Sequence, residues 1–362
     1  MKGRFNPVRL GIVGAGFTGY QAAKNCHPLS CMEALAIADC DDMRRKTVVD
    51  EFSVPRAYSD YREILDDDDI DAVYYGVPPD IRFSMVLEGP EAGKHALVQK
   101  PHVTRASQIR DMEVAATRAG KTLMFSYFFR HQTHNRRIRA AVQSGCIGRV
   151  YHGRAFNRSA ASPPVNNFDR WQHIYGNKGG PLGQHYSHDL DLLWWFMGCP
   201  QPLWAFAIKH TLHQSANEIE GVASENYLSG LVGLEGERTI EISCSKVDQS
   251  ESPKVFALYG TEGTLTGDDP KRAASRGDDK GIYRRRDKEI FREEIEDVAV
   301  EERFYTQPPS DDFFFYNELE HFALAIAGEV EPDVSATYAH SFMQISDALY
   351  DSAMTEEKVV IR

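Results

Sequence analysis

Three absences narrow what this 362-residue sequence can do. No apolar run approaches the ~20 residues that a membrane-spanning helix needs, so we expect no membrane partner. The six cysteines include no C-x-x-C pair, and residues 1–7 lack a secretory signal, which together favour a cytoplasmic protein with reduced thiols. There are 41 Lys and Arg residues against 53 Asp and Glu, and the net charge of −12 disfavours a nucleic-acid partner.

The length of the chain predicts two domains, because it exceeds what one hydrophobic core usually supports. Short apolar segments alternate with helical patterns in the first third of the chain. This alternation predicts a doubly wound parallel sheet in a domain of residues 1–126. Several strand patterns then follow one another, which predicts an α+β domain over residues 127–362 with a large, mostly antiparallel open sheet. We expect that the last helix can pack back onto the first domain.

The first apolar segment leads into three glycines with G-x-G-x-x-G spacing, Gly14, Gly16 and Gly19. A strand, this turn and a following helix form the arrangement that binds a dinucleotide. Gly14 permits a tight turn, Gly16 lets a pyrophosphate approach the backbone, and Gly19 lets the helix pack closely on the strand. Phe17 and Thr18 lie in the first helical turn, whose free N–H groups would face the phosphates. The alternative is a glycine-rich turn in a βαβ unit that binds no nucleotide.

An acidic residue, Asp39, follows the second predicted strand. It lies about 20 residues after the last glycine, where a carboxylate accepts hydrogen bonds from the adenosine ribose. This carboxylate favours NAD, since it repels the 2′-phosphate of NADP. Arg44 and Arg45 lie close downstream and keep NADP open as the alternative.

Two further turns follow buried strands at Pro78 and at Gln99-Lys100-Pro101. Ligands of open α/β sheets bind beyond the carboxyl ends of the strands, so these residues should line the cofactor crevice. A partly buried Lys100 could act there as an acid, a base or a charge that polarises a hydroxyl group. The alternative is a surface lysine on an ordinary loop.

A second candidate segment is the glycine-rich entry and apolar helix over residues 179–197. Gln184 and His188 are four residues apart and should share one helix face. His188 could take a hydroxyl proton, although a buried core histidine is the alternative. His185 and His188 have a spacing that zinc ligands use, but no acidic or cysteine third ligand accompanies them, so we predict no metal.

In these segments the sequence resembles the family of glucose–fructose oxidoreductase, inositol dehydrogenase and the rhizopine-catabolism protein MocA. The resemblance extends over the whole chain. It rests on the glycine turn, Asp39, residues 92–101, 145–148 and 260–265, the helix with His188 and Asp191, and Asp347-Ala348.

The family resemblance implies a Rossmann domain and a second domain whose open sheet commonly mediates oligomers. It also implies NAD(P)-dependent oxidation or reduction of a sugar or cyclitol hydroxyl. The lysine of the family's E-K-P motif matches Lys100, which should contact the substrate and the nicotinamide ribose. The catalytic histidine matches His188, and the arginine that follows the sixth strand matches Arg130.

The chain departs from the family pattern at two positions. Gln99 replaces the usual glutamate before the lysine, so we expect Lys100 to titrate lower than it would beside an acid. Gln184 replaces the aspartate that usually precedes the histidine by four residues. It cannot stabilise an imidazolium by charge, but it can hold the substrate or Lys100 by hydrogen bonds.

We therefore expect an NAD-dependent dehydrogenase or reductase, with Lys100 and His188 sharing the proton transfer and Gln184 assisting. Its substrate would be a sugar, glycoside, sugar acid or cyclitol, and the assembly would be a homodimer or homotetramer. The alternatives are a glycoside-cleaving enzyme that oxidises the sugar transiently with bound NAD, and a non-catalytic regulator that binds NAD. The predicted substrate pocket consists of Tyr127, Arg130, Asn157, Trp171, Lys178 and His185.

Overall fold

A computed structural model describes residues 6–158, 178–212, 224–248, 255–267, 281–286, 289–293 and 314–362. The strands are β1 Val8–Val13, β2 Met32–Ala38, β3 Arg56–Tyr58, β4 Ala72–Tyr75, β5 His95–Val98, β6 Leu123–Phe125, β7 Val150–Arg158, β8 Pro202–His210, β9 Tyr227–Leu234, β10 Arg238–Ser245, β11 Val255–Gly260, β12 Gly263–Gly267, β13 Gly281–Arg286, β14 Glu289–Glu293 and β15 Val359–Val360. The α-helices are α1 Phe17–Cys26, α2 Asp42–Phe52, α3 Arg62–Leu65, α4 Pro79–Glu91, α5 Ser107–Ala119, α6 Thr133–Gln143, α7 Ser187–Phe196, α8 Phe314–Ile326 and α9 Ala336–Thr355. None of the helices in these ranges is both long enough and apolar enough to span a bilayer.

The first sheet has six parallel strands in the order β3-β2-β1-β4-β5-β6. This is the strand order of the dinucleotide-binding doubly wound fold, and it confirms the prediction for the amino-terminal part of the chain. The strands are short and apolar because helices cover both faces of a parallel sheet. All four residues of β4 are buried, as are the last four residues of β1.

The chain forms two compact units. Unit 1 consists of residues 1–131 and 302–340, and unit 2 consists of residues 132–301 and 341–362. Unit 1 thus extends beyond the predicted residues 1–126 and includes α8. The reason is packing, since Leu319 and Phe322 of α8 share a buried core with Leu10, Ile12 and the alanines of α1. Full burial of a side chain such as Phe322 stabilises a fold by roughly 2–3 kcal/mol.

Unit 2 contains a nine-stranded sheet in the order β14-β13-β12-β11-β7-β10-β9-β8-β15. Strands β7 and β10 pair in parallel, and every other neighbouring pair is antiparallel. The predicted large, mostly antiparallel sheet is therefore confirmed. Helix α7 is buried along its whole length, which explains why its sequence is apolar on most faces.

Glu318 of α8, in unit 1, is a fully buried acid. Burial raises the pKa of its carboxyl group to about 8. The Ser126 hydroxyl lowers this pKa in part, whereas the negative charge of Asp333 raises it further. The group is therefore mainly a neutral carboxylic acid at pH 7, since a charge without solvent is strongly disfavoured.

Replacement of Glu318 by glutamine should flatten the pH dependence of stability. The native carboxyl group holds its proton up to about pH 8, whereas the unfolded chain releases it near its ordinary pKa of 4.5. The free energy of unfolding of the native protein should thus fall as the pH rises from about 4.5 to about 8. Glu318→Gln removes this loss and should be more stable at pH 8 by about 1–3 kcal/mol. Urea unfolding at pH 5, 6, 7 and 8 measures both curves.

Glu329→Gln is the matched control, because Glu329 is exposed just beyond the same helix. Its curve should follow that of the native protein. If the free energy of unfolding of Glu318→Gln changed with pH in parallel with that of the native protein, Glu318 would not be a neutral acid.

Candidate active site

The glycine turn has the close contacts that its sequence pattern predicts. Gly14 adopts φ +95°, in the left-handed region that favours glycine. A β-carbon on Gly19 would lie 1.7 Å from the carbonyl oxygen of Gly14, so α1 can start this close to β1 only with glycine there. A β-carbon on Gly16, by contrast, would have as its nearest neighbour a guanidinium nitrogen of Arg44 at 3.6 Å. The backbone at Gly16 is therefore open to a ligand.

Asp39 lies at the end of β2 and faces the same turn. Its carboxylate accepts hydrogen bonds from the backbone N–H of Ala15 at 2.7 Å and of Asp41 at 2.9 Å. Both contacts hold the carboxylate beside the glycine turn, and each oxygen keeps a further lone pair for a ribose hydroxyl. Arg45 donates to the backbone carbonyl of Asp39 and forms an ion pair with the Asp42 carboxylate, so its guanidinium is bound within this segment.

The other predicted cofactor residues lie at the carboxyl ends of β1 and β4. Phe17 starts α1 and is 71% exposed, and no side chain caps the free N–H groups of this helix. The Thr18 hydroxyl oxygen lies 3.1 Å from the position that a β-carbon on Gly76, the residue after β4, would take. Pro78 precedes the first residue of α4, where a proline needs no N–H partner.

Gln99 connects Lys100 to β4. Its amide nitrogen donates to the Tyr74 hydroxyl at 2.7 Å, and its amide oxygen accepts from the Lys100 N–H at 2.8 Å. Since β4 pairs with β1, which leads into the glycine turn, these two bonds hold the Lys100 backbone to the strand beside that turn. Lys100 itself is partly exposed at this edge of the sheet.

Arg82 is a functional candidate that the sequence did not reveal. Its buried guanidinium donates to the backbone carbonyls of Val77, Gln99 and Pro101. It also donates to the backbone carbonyl of His102, at 3.4 Å. Burial lowers its pKa to about 9, so it remains charged at pH 7. These contacts fix the loops after β4 and β5 relative to each other. The sequence signal is weak: Arg82 follows Pro78 by one helical turn, which points its side chain back toward the sheet edge.

Two predicted substrate residues, Tyr127 and Arg130, are almost fully buried. Arg130 donates to the Asp333 carbonyl at 3.2 Å, and its guanidinium lies 4.0 Å from the centre of the Tyr338 ring. These contacts join the end of β6 to the start of α9 within unit 1. Their role as substrate contacts stays a prediction, and the contacts observed here are structural.

In unit 2, the predicted glycine-rich entry and apolar helix over residues 179–197 contain a π-helical turn, Leu182–Tyr186, that leads into α7. The Ser187 N–H donates to the Leu182 carbonyl, which is the five-residue spacing of a π-helix. Gln184 lies in this turn and His188 in the first turn of α7, and both side chains are buried. π-Helical turns occur frequently at functional sites.

Other predicted substrate residues of unit 2 make internal contacts. Asn157 donates to the Asp189 carboxylate at 2.9 Å, and the Lys178 ammonium lies 2.7 Å from the Asp347 carboxylate. Trp171 lies outside the described residues, as does the side chain of His185. Within the described part of the chain, no group of three or more histidine, cysteine or acidic side chains could hold a metal ion.

The groups in unit 1 fit a bound dinucleotide. An open backbone at Gly16, an uncapped helix start at Phe17 and an oriented carboxylate at Asp39 match the pyrophosphate and the ribose of such a ligand. Lys100 adds a cation at the same edge of the sheet, where a nicotinamide and its reaction partner would meet.

Comparisons with known proteins agree with this geometry. Residues 8–127 match the oxidoreductase family with an NAD-binding Rossmann fold that is named for GFO, IDH and MocA. Residues 135–266 match the GFO/IDH/MocA C-terminal domain.

Among curated relatives, the uncharacterized oxidoreductase YrbE of Bacillus subtilis is 29% identical over 192 residues, 53% of this chain and 54% of that protein. The match thus spans about half the length of that relative. The 1,5-anhydro-D-fructose reductase of Ensifer adhaerens is 26% identical over 72% of this chain and 75% of its own. A crystal structure of a putative myo-inositol dehydrogenase from Sinorhizobium meliloti superposes with a TM-score of 0.76 at 21% identity, over 98% of this chain and 100% of that one, which shows a shared fold.

The matches of both domains, the strand order of the first sheet and the glycine turn with Asp39 lead to one conclusion. The chain belongs to the Gfo/Idh/MocA family of NAD-binding oxidoreductases, as its sequence predicts.

Proposed function

We propose that this protein is an NAD-dependent oxidoreductase that interconverts a secondary hydroxyl and a ketone on a sugar, glycoside, sugar acid or cyclitol. The observation that carries the proposal is the pair of hydrogen bonds by which Gln99 fixes the Lys100 backbone to Tyr74 of β4, the strand beside β1 and its glycine turn. A lysine is thereby held at the sheet edge where the cofactor would bind. The relative that acts on 1,5-anhydro-D-fructose supports a carbohydrate substrate.

Bound NAD would supply a hydride acceptor at C4 of its nicotinamide. Asp39 would hold its ribose and the backbone of Gly16 and Phe17 its pyrophosphate. Lys100 and His188 would divide the proton transfer, since the substrate hydroxyl must lose its proton as its carbon loses a hydride. Gln184 would donate or accept a hydrogen bond without adding charge.

NAD is the proposed cofactor, with NADP as the alternative. The carboxylate of Asp39 is fixed beside the glycine turn by two backbone N–H groups, which leaves a negative charge where the 2′-phosphate of NADP would lie. Arg44 is the nearest side chain to the open backbone at Gly16 and is the group that would accept such a phosphate.

We further propose a cytoplasmic homodimer or homotetramer that assembles through the nine-stranded sheet. All six cysteines are free thiols, which suits a reducing compartment. In β8, Phe206 and Ile208 are about 40% exposed and alternate with the buried Ala205 and Ala207. An exposed row of apolar side chains on a sheet face is typical of a subunit interface.

Loss of either proton-transferring side chain should abolish most turnover. Lys100→Met and His188→Gln should each lower kcat by about 10² or more, because positioned acid–base groups contribute this much. NADH formation would be followed at its absorbance band with myo-inositol, D-glucose, D-xylose and sugar acids, and NADH consumption with 1,5-anhydro-D-fructose. Lys46→Met and His27→Gln are the matched controls, since both residues are exposed.

The panel also separates the alternative functions. Native turnover in both variants would overturn the assignment of Lys100 and His188. Turnover of a glycoside without net NADH release would indicate transient oxidation, and binding of NAD without turnover of any compound would favour a regulator.

Removal of the Asp39 charge should shift cofactor preference toward NADP. Asp39→Asn should lower the ratio of NAD affinity to NADP affinity by about tenfold, or ~1.4 kcal/mol, as the 2′-phosphate is no longer repelled. Fluorescence titration with each cofactor measures both dissociation constants. Asp50→Asn removes the same charge from an exposed position of α2 and should leave the ratio unchanged. An unaltered ratio in Asp39→Asn would contradict the proposed ribose contact.

A charge in the exposed row of β8 should weaken assembly. Ile208→Glu should raise the dissociation constant of the oligomer by an amount equivalent to about 3 kcal/mol, because the new carboxylate is buried without a partner. Light scattering after size-exclusion chromatography measures the mass across a dilution series. Val114→Glu, on the exposed face of α5, should keep the native mass. An unchanged mass in Ile208→Glu would rule out assembly through this strand.

A further inference from the structure

The Tyr350 hydroxyl lies between two groups that are far away in sequence. It accepts a hydrogen bond from the Gly183 N–H at 3.2 Å and donates one to the Glu225 carboxylate at 3.2 Å. Tyr350 and Glu225 are both buried. The carboxyl-terminal helix α9 is thereby connected to the π-helical turn Leu182–Tyr186 from one side and to the start of β9 from the other.

Lys178 joins the same group of residues. Its ammonium lies 2.7 Å from the Asp347 carboxylate and 4.6 Å from the centre of the Tyr350 ring. Its backbone adopts φ +52°, a conformation that costs energy for a residue with a side chain and persists only when its surroundings hold it. We call Lys178, Glu225, Asp347 and Tyr350 the Tyr350 cluster.

Two glycines of the segment before α7 pack closely against this cluster. A β-carbon on Gly183 would lie 2.0 Å from the Lys178 carbonyl oxygen. A β-carbon on Gly180 would lie 1.8 Å from the Glu225 carboxylate, which the Ser224 hydroxyl also contacts at 2.9 Å. The glycine-rich entry to the helix thus serves close packing against Lys178 and Glu225.

The cluster therefore holds the π-helical turn at its beginning. A π-helical turn has a hydrogen-bond register that the neighbouring α-helix does not share, so it needs support from outside the helix. Any change in this turn moves Gln184, which lies in it, and His188, which follows it. A displacement of about 1 Å is enough to lower a rate by 10² when a reacting group loses its orientation.

We propose that Tyr350 and Glu225 are positioning residues that fix the π-helical turn and, through it, the orientation of Gln184 and His188. The positioning role rests on the proposed function of His188. Neither Tyr350 nor Glu225 is required to touch the substrate or the cofactor for this role.

The direct test is hydrogen–deuterium exchange of the full-length protein, which needs no substrate. Tyr350→Phe keeps the ring beside Lys178 but loses both hydrogen bonds of the hydroxyl. Peptides that cover residues 182–188 should exchange about tenfold faster, as expected for the loss of two buried hydrogen bonds. Tyr151→Phe is the matched control, because Tyr151 is an exposed tyrosine of β7, and its exchange should equal that of the native protein. Glu225→Gln keeps an acceptor for Tyr350 and should also stay close to native exchange.

Kinetics with the substrate that the panel identifies test the functional part. Tyr350→Phe should lower kcat about tenfold and leave the NAD dissociation constant unchanged, because the cofactor residues lie in unit 1. The double variant His188→Gln/Tyr350→Phe should be no slower than His188→Gln alone, since a residue that acts through His188 has no effect once His188 is removed. A residue that only stabilises the fold would instead lower the rate further in the double variant.

The outcomes separate the two proposals. Native exchange in Tyr350→Phe overturns the inference and leaves the proposed function standing. Faster exchange with additive losses of kcat overturns the positioning role. Native activity in His188→Gln overturns the catalytic role of His188, and the positioning role with it. We expect faster exchange of residues 182–188 and a tenfold loss of kcat in Tyr350→Phe. We also expect the double variant to be no slower than His188→Gln alone.

Discussion

The contact between Gly14 and Gly19 is the constraint on which the cofactor unit depends. The Gly14 carbonyl occupies the space that a β-carbon of residue 19 would need, so α1 starts directly against β1. This close start leaves the backbone of Gly16 open and brings the Ala15 N–H to the Asp39 carboxylate. It also places α1 against α8, whose Phe322 completes the core. The same short distance therefore sets the dinucleotide site and part of the hydrophobic packing.

The features that the sequence predicts well are local ones. Gly14, Gly16, Gly19 and Asp39 lie at spacings that follow from one strand, one turn and one helix, and the structure has a left-handed Gly14, a helix that starts at Phe17 and an Asp39 carboxylate bound by the Ala15 N–H. The alternation of strands and helices likewise predicts the parallel sheet. In each case a short stretch of sequence predicts the element or the turn by itself, although the strands then pair residues as far apart as Leu10 and Ala72.

What the sequence does not predict depends on contacts between distant segments. Tyr350 meets Gly183 across 167 positions, and nothing near either residue indicates the pairing. Arg82 could be read as an ordinary helix residue, although it holds two loops of the sheet edge. The ion pair of Lys178 with Asp347 is another contact that the sequence around Lys178 does not indicate. The π-helical turn has no separate signal either, because it takes its shape from Pro181, Gly183 and the residues packed around them.

These distant contacts bear on the two positions where an amide replaces an acid of the family. At Gln99, both ends of the amide are used, as donor to Tyr74 and as acceptor from Lys100, and a carboxylate could not donate to Tyr74 in this way. At Gln184, the neighbouring acids of unit 2 hold other groups: Asp189 binds Asn157, Asp347 binds Lys178 and Glu225 binds Tyr350. Gln184 adds no charge that would stabilise a protonated histidine. The proposed proton transfer at His188 therefore depends on how the π-helical turn orients Gln184 and His188, which is the role proposed for the Tyr350 cluster.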